Sequence, residues 1–267
     1  MKIHPRGKSK YGHRYNWRPD LPDQRDLRFS ISPKALPKAV DLRKECPPVV
    51  NQLKIGSCTG NALAGAMGFL EEMDLREKGG SDPHLYSVDT FEAVSRLFIY
   101  FNERLIEGTT GQDAGANLRD GIKSLAKVGV CREKVWKYSP SLTFTKPDAK
   151  SYKEASSHLI TSYLALKNIE EMKHCLADGF PFVFGFSVYE SFESPDVAKT
   201  GVMPMPASDE KLLGGHAVMA VGYDDSKKFF WVRNSWGTEW GQKGYFQMPF
   251  EYFETSGLAQ DFWTIRQ

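Results

Sequence analysis

The sequence lacks the features that mark several large classes of protein. Its longest largely apolar stretch runs from Phe182 to Val188, far short of the roughly 18 residues that a membrane-spanning helix needs. Four cysteines in 267 residues do not suggest a disulfide scaffold. No CxxC pair occurs, and the six histidines show no zinc-ligand spacing with the cysteines. We therefore expect no membrane span, no metal and no cofactor.

An excess of charge of one sign is also missing. The 35 basic and 33 acidic residues leave a net charge of +2, which gives no overall field for nucleic acid or an anionic membrane. The first 28 residues carry eight basic against three acidic side chains, so they form a solvated tail or attract an acidic partner. The basic, polar start shows no secretory signal, and the sequence does not indicate the cellular compartment of the protein. We expect a monomer without a specific nucleic acid partner.

The order of secondary-structure signals indicates an α+β protein. Residues 1–35 are rich in Arg, Pro and Asp and lack apolar periodicity, which predicts an extended segment without its own core. Helical signals come next and strand signals later. The predicted helices span 58–78, 95–105, 116–127 and 168–179, and the predicted strands span 181–189, 216–223, 228–234, 244–248 and 260–265. Helices followed by strands predict two lobes, over 36–155 and 156–267.

Cys58 has the sequence context of a reactive thiol. It lies where a turn gives way to a long helix rich in small residues. The unpaired amides and the dipole at a helix start lower a cysteine pKa from about 8.5, and an imidazolium neighbour lowers it further. A small buried cysteine without function explains the same context about equally well.

Two later blocks supply the partners that a thiol nucleophile needs. His216 opens a strand after two glycines, and Asn234 precedes Trp236 by two residues. The histidine can act as acid and base, while an asparagine can hold its other nitrogen in the required tautomer. Trp236 can screen that hydrogen bond from water. The side-chain amide of Gln52, with the backbone N–H of Cys58, can donate to an oxyanion.

Three ordered blocks together resemble the papain family of cysteine peptidases, and the patterns Asp113-x-Gly115, Arg119-Asp120-Gly121, Gly129-Val130-Cys131 and Asp261-Phe262-Trp263 look more like its bacterial members. These blocks are Gln52-x5-Cys58, Gly215-His216-Ala217-Val218 and Asn234-Ser235-Trp236-Gly237. The resemblance covers about Leu36 to Gln267. It implies a helical lobe and a β-barrel lobe with the active site in the cleft between them. It also implies a cysteine endopeptidase of peptide or protein substrates, with Cys58, His216, Asn234 and Gln52 as catalytic residues.

The chain departs from the family pattern beside the nucleophile. Ile55 stands where most members have a cysteine, and Thr59 stands where they usually have tryptophan. The resemblance therefore predicts that the family's common disulfide near the cleft is absent. Cys46, Cys131 and Cys175 are expected to be buried thiols.

Substrate-binding residues are assigned by the same resemblance. Glycines 115, 185, 214 and 215 are expected along the cleft, together with Trp236. Asp261 at the base of a pocket would favour arginine, whereas the alternative, which the residues favour, is a structural aspartate that accepts backbone amides. Residues 194–213 read as an inserted surface loop. Part of the first segment, 15–26, is expected either to gate the cleft or to pack away from it.

Two other classes of function share these residues. A binding protein can keep the fold without catalysis, but such loss normally leaves a gap in the nucleophile set, and all four positions are filled here. An acyl-transferring or deamidating enzyme can use the same cysteine and histidine with another acceptor. The natural substrate is not readable from the residues.

Overall fold

The computed structural model of this chain describes residues 8–31, 33–79 and 92–267. Its three longer helices near the start are α1 (Cys58–Gly79), α2 (Arg96–Ile106) and α3 (Leu118–Lys127). The other helices are α4 (Ala149–Ala155), α5 (Ile169–Ala177), α6 (Pro195–Thr200) and α7 (Phe250–Glu254). The strands are β1 (Ala39–Asp41), β2 (Ser162–Ala165), β3 (Phe182–Tyr189), β4 (Leu212–Asp224), β5 (Phe229–Arg233), β6 (Tyr245–Pro249) and β7 (Ala259–Arg266).

The longer elements agree with the sequence predictions because each carries a capping or periodic signal. Asn168 accepts a hydrogen bond from the Glu171 N–H and starts α5, as the capping pair predicts. Ser95 accepts from the Phe98 N–H and starts α2, so the predicted start at 95 is one residue early. The short elements β1, β2, α4 and α7 were not predicted, because so few residues show no clear period.

The region 194–213, predicted as a plain loop, contains a short helix. Ser194 caps α6 by accepting the Val197 N–H, and Pro195 fills the first helical position. Gly201 ends the helix at a φ of 66°, a left-handed conformation that glycine adopts without steric cost. The prediction of a loop is therefore wrong for 195–200, where local capping decides the structure.

One antiparallel sheet holds the seven strands found among the described residues. Six of them follow the order β2-β7-β3-β4-β5-β6, and β1 pairs with β4. The 13-residue β4 pairs with β3, β5 and β1. Its start is held along one edge by β3, and β5 pairs with the other edge from Met219 onward. The side chains at the start of β4 are therefore supported by β3.

Two hydrophobic clusters fill the interior. The first joins apolar residues of α1, α2 and α3 to Met219 and Val221 of β4. The second is formed largely by the sheet, with Phe184 and Phe186 of β3 and Phe246 of β6 among its members. Cys58 of α1 and Ala217 of β4 belong to the same cluster, and the Ala217 N–H faces the Cys58 thiol, so the start of the helix lies against the start of the strand. The overall arrangement is α+β, as predicted.

The described part of the N-terminal segment lies on the folded body. The backbone of Phe29 donates to Ala165 O (3.0 Å), and Ala165 N donates to Leu27 O (2.8 Å). Arg14 pairs with Asp113, so its charge is used within the chain. Residues 1–7, with the basic Lys2 and Arg6, lie outside the described residues. In the part of the chain that is described, no helix is long and apolar enough to cross a bilayer.

The packing of α1 predicts opposite effects for two glycines in the same helix. A methyl group at Gly60 would lie 2.7 Å from Arg96 O, a backbone atom of α2, whereas one at Gly65 would meet no atom closer than 3.4 Å. Gly60→Ala should therefore force α1 and α2 apart and cost about 1–3 kcal/mol. Gly65→Ala should be neutral or stabilise the helix by up to about 1 kcal/mol. Urea unfolding midpoints measure both; equal midpoints would contradict this account of the α1–α2 contact.

Candidate active site

Cys58 is the first residue of α1, and the loop before it is held by a carboxylate. Asp113 accepts the Gly56 N–H through both oxygens, at 3.0 and 3.1 Å. Tyr100 OH donates to the same carboxylate. The first N–H groups of a helix have no intrahelical partner, so the end of α1 presents donors around the Cys58 side chain. Asp113 was not assigned from the sequence, because its contact joins residues 57 positions apart.

His216 and Asn234 form the hydrogen bond that the sequence predicts. His216 Nε2 lies 2.9 Å from Asn234 Oδ1, and the Ser235 N–H donates to the same oxygen at 2.8 Å. A backbone N–H requires an acceptor, so this contact fixes the orientation of the Asn234 amide. Nε2 must then carry the imidazole proton, which leaves Nδ1 as the basic nitrogen. His216 Nδ1 has no hydrogen-bond partner in the described part of the chain.

Gln52 is buried and held from both ends of its amide. Its Nε2 donates to Ile55 O at 3.0 Å, and its Oε1 accepts from Ser235 Oγ at 2.6 Å. The acceptor at Ile55 fixes the amide orientation, and the second N–H of Nε2 is left for another acceptor. Ser235 therefore connects Gln52 to Asn234, in a bond that motif spacing does not reveal.

Trp236 forms an apolar wall beside the imidazole. Its ring stacks on His216 with centroids 5.2 Å apart and an interplanar angle of 23°, and only 8% of its surface is exposed. Water is thereby kept from one face of the His216 ring, as predicted for this tryptophan.

The N-terminal segment lies directly over these groups. Trp17 N donates to Gly215 O at 3.0 Å, and Gly215 N donates to Tyr15 O at 3.3 Å. Cys58 and His216 are both 0% exposed. The described structure thus presents the thiol and the imidazole beneath Tyr15–Trp17.

The four glycines assigned to the cleft all face this segment. A Cβ at position 185 would overlap the Trp17 indole, and one at 215 would overlap Trp17 O. A Cβ at 214 would press on Tyr15, and one at 115 would overlap Asn16 O. The absence of side chains at these positions is what lets a chain approach the backbone on either side of Cys58.

Comparisons with known proteins agree with this geometry. A family profile described as "Papain family cysteine protease" matches residues 36–264. The chain belongs to the papain family of cysteine proteases.

Relatives from different sources support the assignment. A peptidase C1-like protein of Acanthamoeba polyphaga mimivirus, L477, is 42% identical over 255 residues, which cover 90% of this chain and 78% of that protein. Cysteine proteinase 1 of Entamoeba histolytica is 30% identical, with 84% and 67% covered. The structure of xylellain, a cysteine protease from Xylella fastidiosa, is 41% identical, has a TM-score of 0.82, and covers 100% of this chain and 99% of its own. The chain is therefore a hydrolase of the peptidase class with a papain-like fold.

Burial by the segment reverses the pKa shift that the helix start alone would give. Desolvation raises the pKa of the Cys58 thiol to about 12, although N–H groups of Ala217, Thr59 and Trp17 partly oppose this. Desolvation likewise lowers the pKa of His216 to about 4, against the hydrogen bond that His216 donates to Asn234. Both groups are therefore neutral in the covered site, whereas sequence context predicts a thiolate. The reason is that no water reaches either group.

Thr59, which replaces the usual tryptophan of this papain-family site, has a buried partner. Its hydroxyl donates to the carboxyl group of Glu103 on α2, and Glu103 is 0% exposed. Desolvation holds the pKa of Glu103 well above its ordinary value, which favours the protonated carboxyl. A charged Glu103 raises the pKa of the Cys58 thiol, so protonation of Glu103 favours the thiolate. Sequence reasoning missed Glu103 because it reads as one more charged residue of a helix.

The remaining cysteines carry no bridge. All four are free thiols, with Cys131 and Cys175 buried and Cys46 only partly so; the expectation of a buried Cys46 is thus only partly met. Among the described residues, no group of three or more His, Cys, Asp or Glu side chains could hold a metal ion.

Asp261 contacts the segment through a backbone amide. Its Oδ2 accepts the Asp20 N–H at 2.8 Å, while the Asp20 carboxylate accepts from Trp263 Nε1 at 3.0 Å. Desolvation, followed by the charge of Asp20, raises the pKa of Asp261 to about 7, with Arg119 opposing the shift. In the covered site Asp261 therefore accepts a backbone N–H, as a structural aspartate does.

The raised pKa of Asp261 predicts that the stability of the protein depends on pH between pH 5 and 8. In the folded protein the pKa of Asp261 is about 7, above the ordinary value of 3.8. The contribution of Asp261 to stability is therefore complete below pH 3.8 and is lost as the pH rises through 7. Asp261→Asn stays neutral, so its melting temperature should fall less from pH 5 to 8 than that of the unaltered protein, by on the order of 3 °C.

Asp23→Asn is the matched control. Its hydrogen bonds with Arg25 lower the pKa of Asp23, so Asp23 is charged throughout this window and its replacement should not alter the pH slope. Identical slopes for all three proteins would contradict the assignment.

Proposed function

We propose that this papain-family protease is a cysteine endopeptidase that works through a Cys58–His216 thiolate–imidazolium pair and an acyl-enzyme. The observation that carries the proposal is the fixed amide of Asn234, which leaves His216 Nδ1 as the basic nitrogen. Gln52 and the start of α1 supply the donors that an oxyanion needs. No other side chain has to be recruited for amide hydrolysis.

The reaction follows from these groups in two stages. When the site is uncovered and hydrated, His216 Nδ1 takes the Cys58 proton, and the thiolate attacks the carbonyl carbon of the scissile bond. The oxyanion is stabilised by the Gln52 side chain and the Cys58 N–H, an effect usually worth about 3–4 kcal/mol. His216 then gives its proton to the leaving amine, and a thioester forms. Water, deprotonated by His216, hydrolyses the thioester and restores the thiol.

Residues 1–35 act in this proposal as a gate over the catalytic body, which comprises a helical lobe at 36–155 and a sheet lobe at 156–267. Trp17 is only 5% exposed and occupies the space that Gly185 leaves open. The backbone bonds to Gly215 occupy groups that a substrate chain would otherwise use. The gate must therefore leave before a substrate carbonyl can reach Cys58.

Substrate binding is assigned to the surfaces that the segment now covers. Gly115, Gly214 and Gly215 contribute backbone groups to an extended substrate, and the space beside Gly185 accepts a large apolar side chain, as it accepts Trp17. Asp261 lies where Asp20 docks and favours a donor group, such as the guanidinium of arginine.

Thiol labelling tests the catalytic assignment. An epoxysuccinyl inhibitor should label one thiol per chain at pH 7, and Cys58→Ala should abolish both labelling and peptide hydrolysis, with a loss of activity of about 10⁴-fold or more. Cys46→Ala is the matched control and should keep both. Mass spectrometry of the peptide products identifies the acceptor, since transfer to an amine in place of water would reject hydrolysis as the reaction.

A change at Trp17 tests the gate. Trp17→Ala removes a buried indole from the docked segment, a loss of about 3–5 kcal/mol in comparable cores. The labelling rate of Cys58 and the hydrolysis rate should therefore rise by about tenfold or more. Leu21→Ala, at a side chain that is 80% exposed in the same segment, should change neither. A Trp17→Ala protein with an unaltered circular dichroism spectrum and an unaltered labelling rate would count against gating.

A further inference from the structure

One buried carboxylate, Glu193, gathers three donors from the N-terminal segment. Lys10 N donates to its Oε2 at 2.7 Å, and Tyr15 OH donates to its Oε1 at 2.6 Å. The Ser9 hydroxyl donates to the same Oε1 at 2.5 Å. Glu193 itself lies after β3, in a short turn of helix before α6, and is 3% exposed.

These donors are neutral groups, which is unusual for so buried a carboxylate. Buried carboxylates in proteins are normally paired with a cation. Among the described residues, Glu193 forms no ion pair with a lysine or arginine. The basic side chain that faces Glu193 is His13. Because burial lowers the pKa of His13 from its ordinary value of 6.5, the imidazole is neutral near pH 7. When the segment leaves, the carboxylate loses all three donors.

The position of Glu193 relative to the reaction follows from the histidine. His216 must protonate the leaving amine, so the part of the substrate that leaves emerges past the imidazole and its stacking partner Trp236. Tyr15, which bonds to Glu193, lies with its ring 6.0 Å from His216 and 6.2 Å from Trp236. Trp17, by contrast, lies on the Gly185 side, where the acyl part remains. Glu193 therefore faces the leaving-group side.

A pocket of about 520 Å³ opens at this place. Its walls include Glu193, Trp236 and Trp240 from the body, and Tyr11 and His13 from the segment. His13 stacks on Trp236 with ring centroids 4.1 Å apart and planes only 4° from parallel. A flat, wide side chain can thus lie on Trp236 with its polar end near Glu193.

We infer that Glu193 is a specificity-determining residue, which binds the ammonium or guanidinium group of a basic side chain on the leaving-group side of the scissile bond. The inference rests on the proposed peptide hydrolysis. Trp236 supports the aliphatic stem or the guanidinium plane of such a side chain, and the carboxylate supplies the charge-assisted hydrogen bond. The exposed Lys199 and Glu239 at the rim of the pocket carry opposite charges, which offset each other. Glu193 therefore determines the sign of the electrostatic potential in the pocket.

Matched peptides on the full-length protein test this assignment. In the first pair, the two peptides share the acyl part and differ only in the residue directly after the scissile bond, which is Lys in one and Glu in the other. In the second pair, the Lys or Glu stands one residue later. The unaltered protein should hydrolyse the Lys peptide of at least one pair with a kcat/KM about tenfold higher or more. Glu193→Gln should bring that ratio close to one. Since the segment must move aside for every peptide alike, its release cancels from the ratio.

Two variants separate recognition from anchoring of the segment. Tyr15→Phe removes one bond to Glu193 but keeps the carboxylate, so it should raise the rates for both peptides and leave their ratio unchanged. Glu254→Gln removes an exposed carboxylate that lies outside the pocket and should also preserve the ratio. A Glu193→Gln protein that hydrolyses both peptides with the unaltered ratio would overturn the inference and show that Glu193 anchors the segment only. Failure of both the unaltered protein and Trp17→Ala, in which the segment is loosened, to hydrolyse any peptide would overturn the proposed function, and the inference with it.

Discussion

The packing of α1 on β4 is the contact on which the candidate site depends. It brings the start of a helix, with its free N–H groups, against the start of a strand that is held by β3. Cys58 and His216 are 158 positions apart in the chain, and this contact alone places them together. Small residues in α1 make the close approach possible, since the backbone of α2 lies against Gly60.

A second level of order comes from amide groups with fixed orientation. Ser235 donates its backbone N–H to Asn234 and its hydroxyl to Gln52. Ser235 thereby sets the tautomer of the imidazole through Asn234, while Ile55 O sets the direction of the Gln52 amide, the proposed oxyanion donor. Such fixed dipoles need no rearrangement when charge develops in the reaction, which is why they stabilise a transition state more than mobile water does.

The covering segment changes the electrostatics more than the geometry. Beneath Tyr15–Trp17 the thiol and the imidazole are both neutral, because each charged form would lose its hydration. The same segment satisfies the buried Glu193 and binds Asp261 with backbone and hydroxyl donors. In our proposals one stretch of chain thus occupies the nucleophile, the acyl side and the leaving-group side at once, and its departure exposes all three.

The sequence by itself determined the family, the α+β class, and the longer helices and strands, and it predicts the Cys58, His216, Asn234 and Gln52 set. These depend on local signals: caps, hydrophobic periods, and motifs whose residues lie close together in the chain. Only the tertiary structure decided the partners of that set. Asp113 beneath Gly56, Glu103 beneath Thr59 and Glu193 beneath Tyr15 each join distant positions, and a single sequence carries no signal for such contacts. The neutral state of Cys58 has the same origin, because desolvation depends on what lies above a residue and not on its neighbours in the chain.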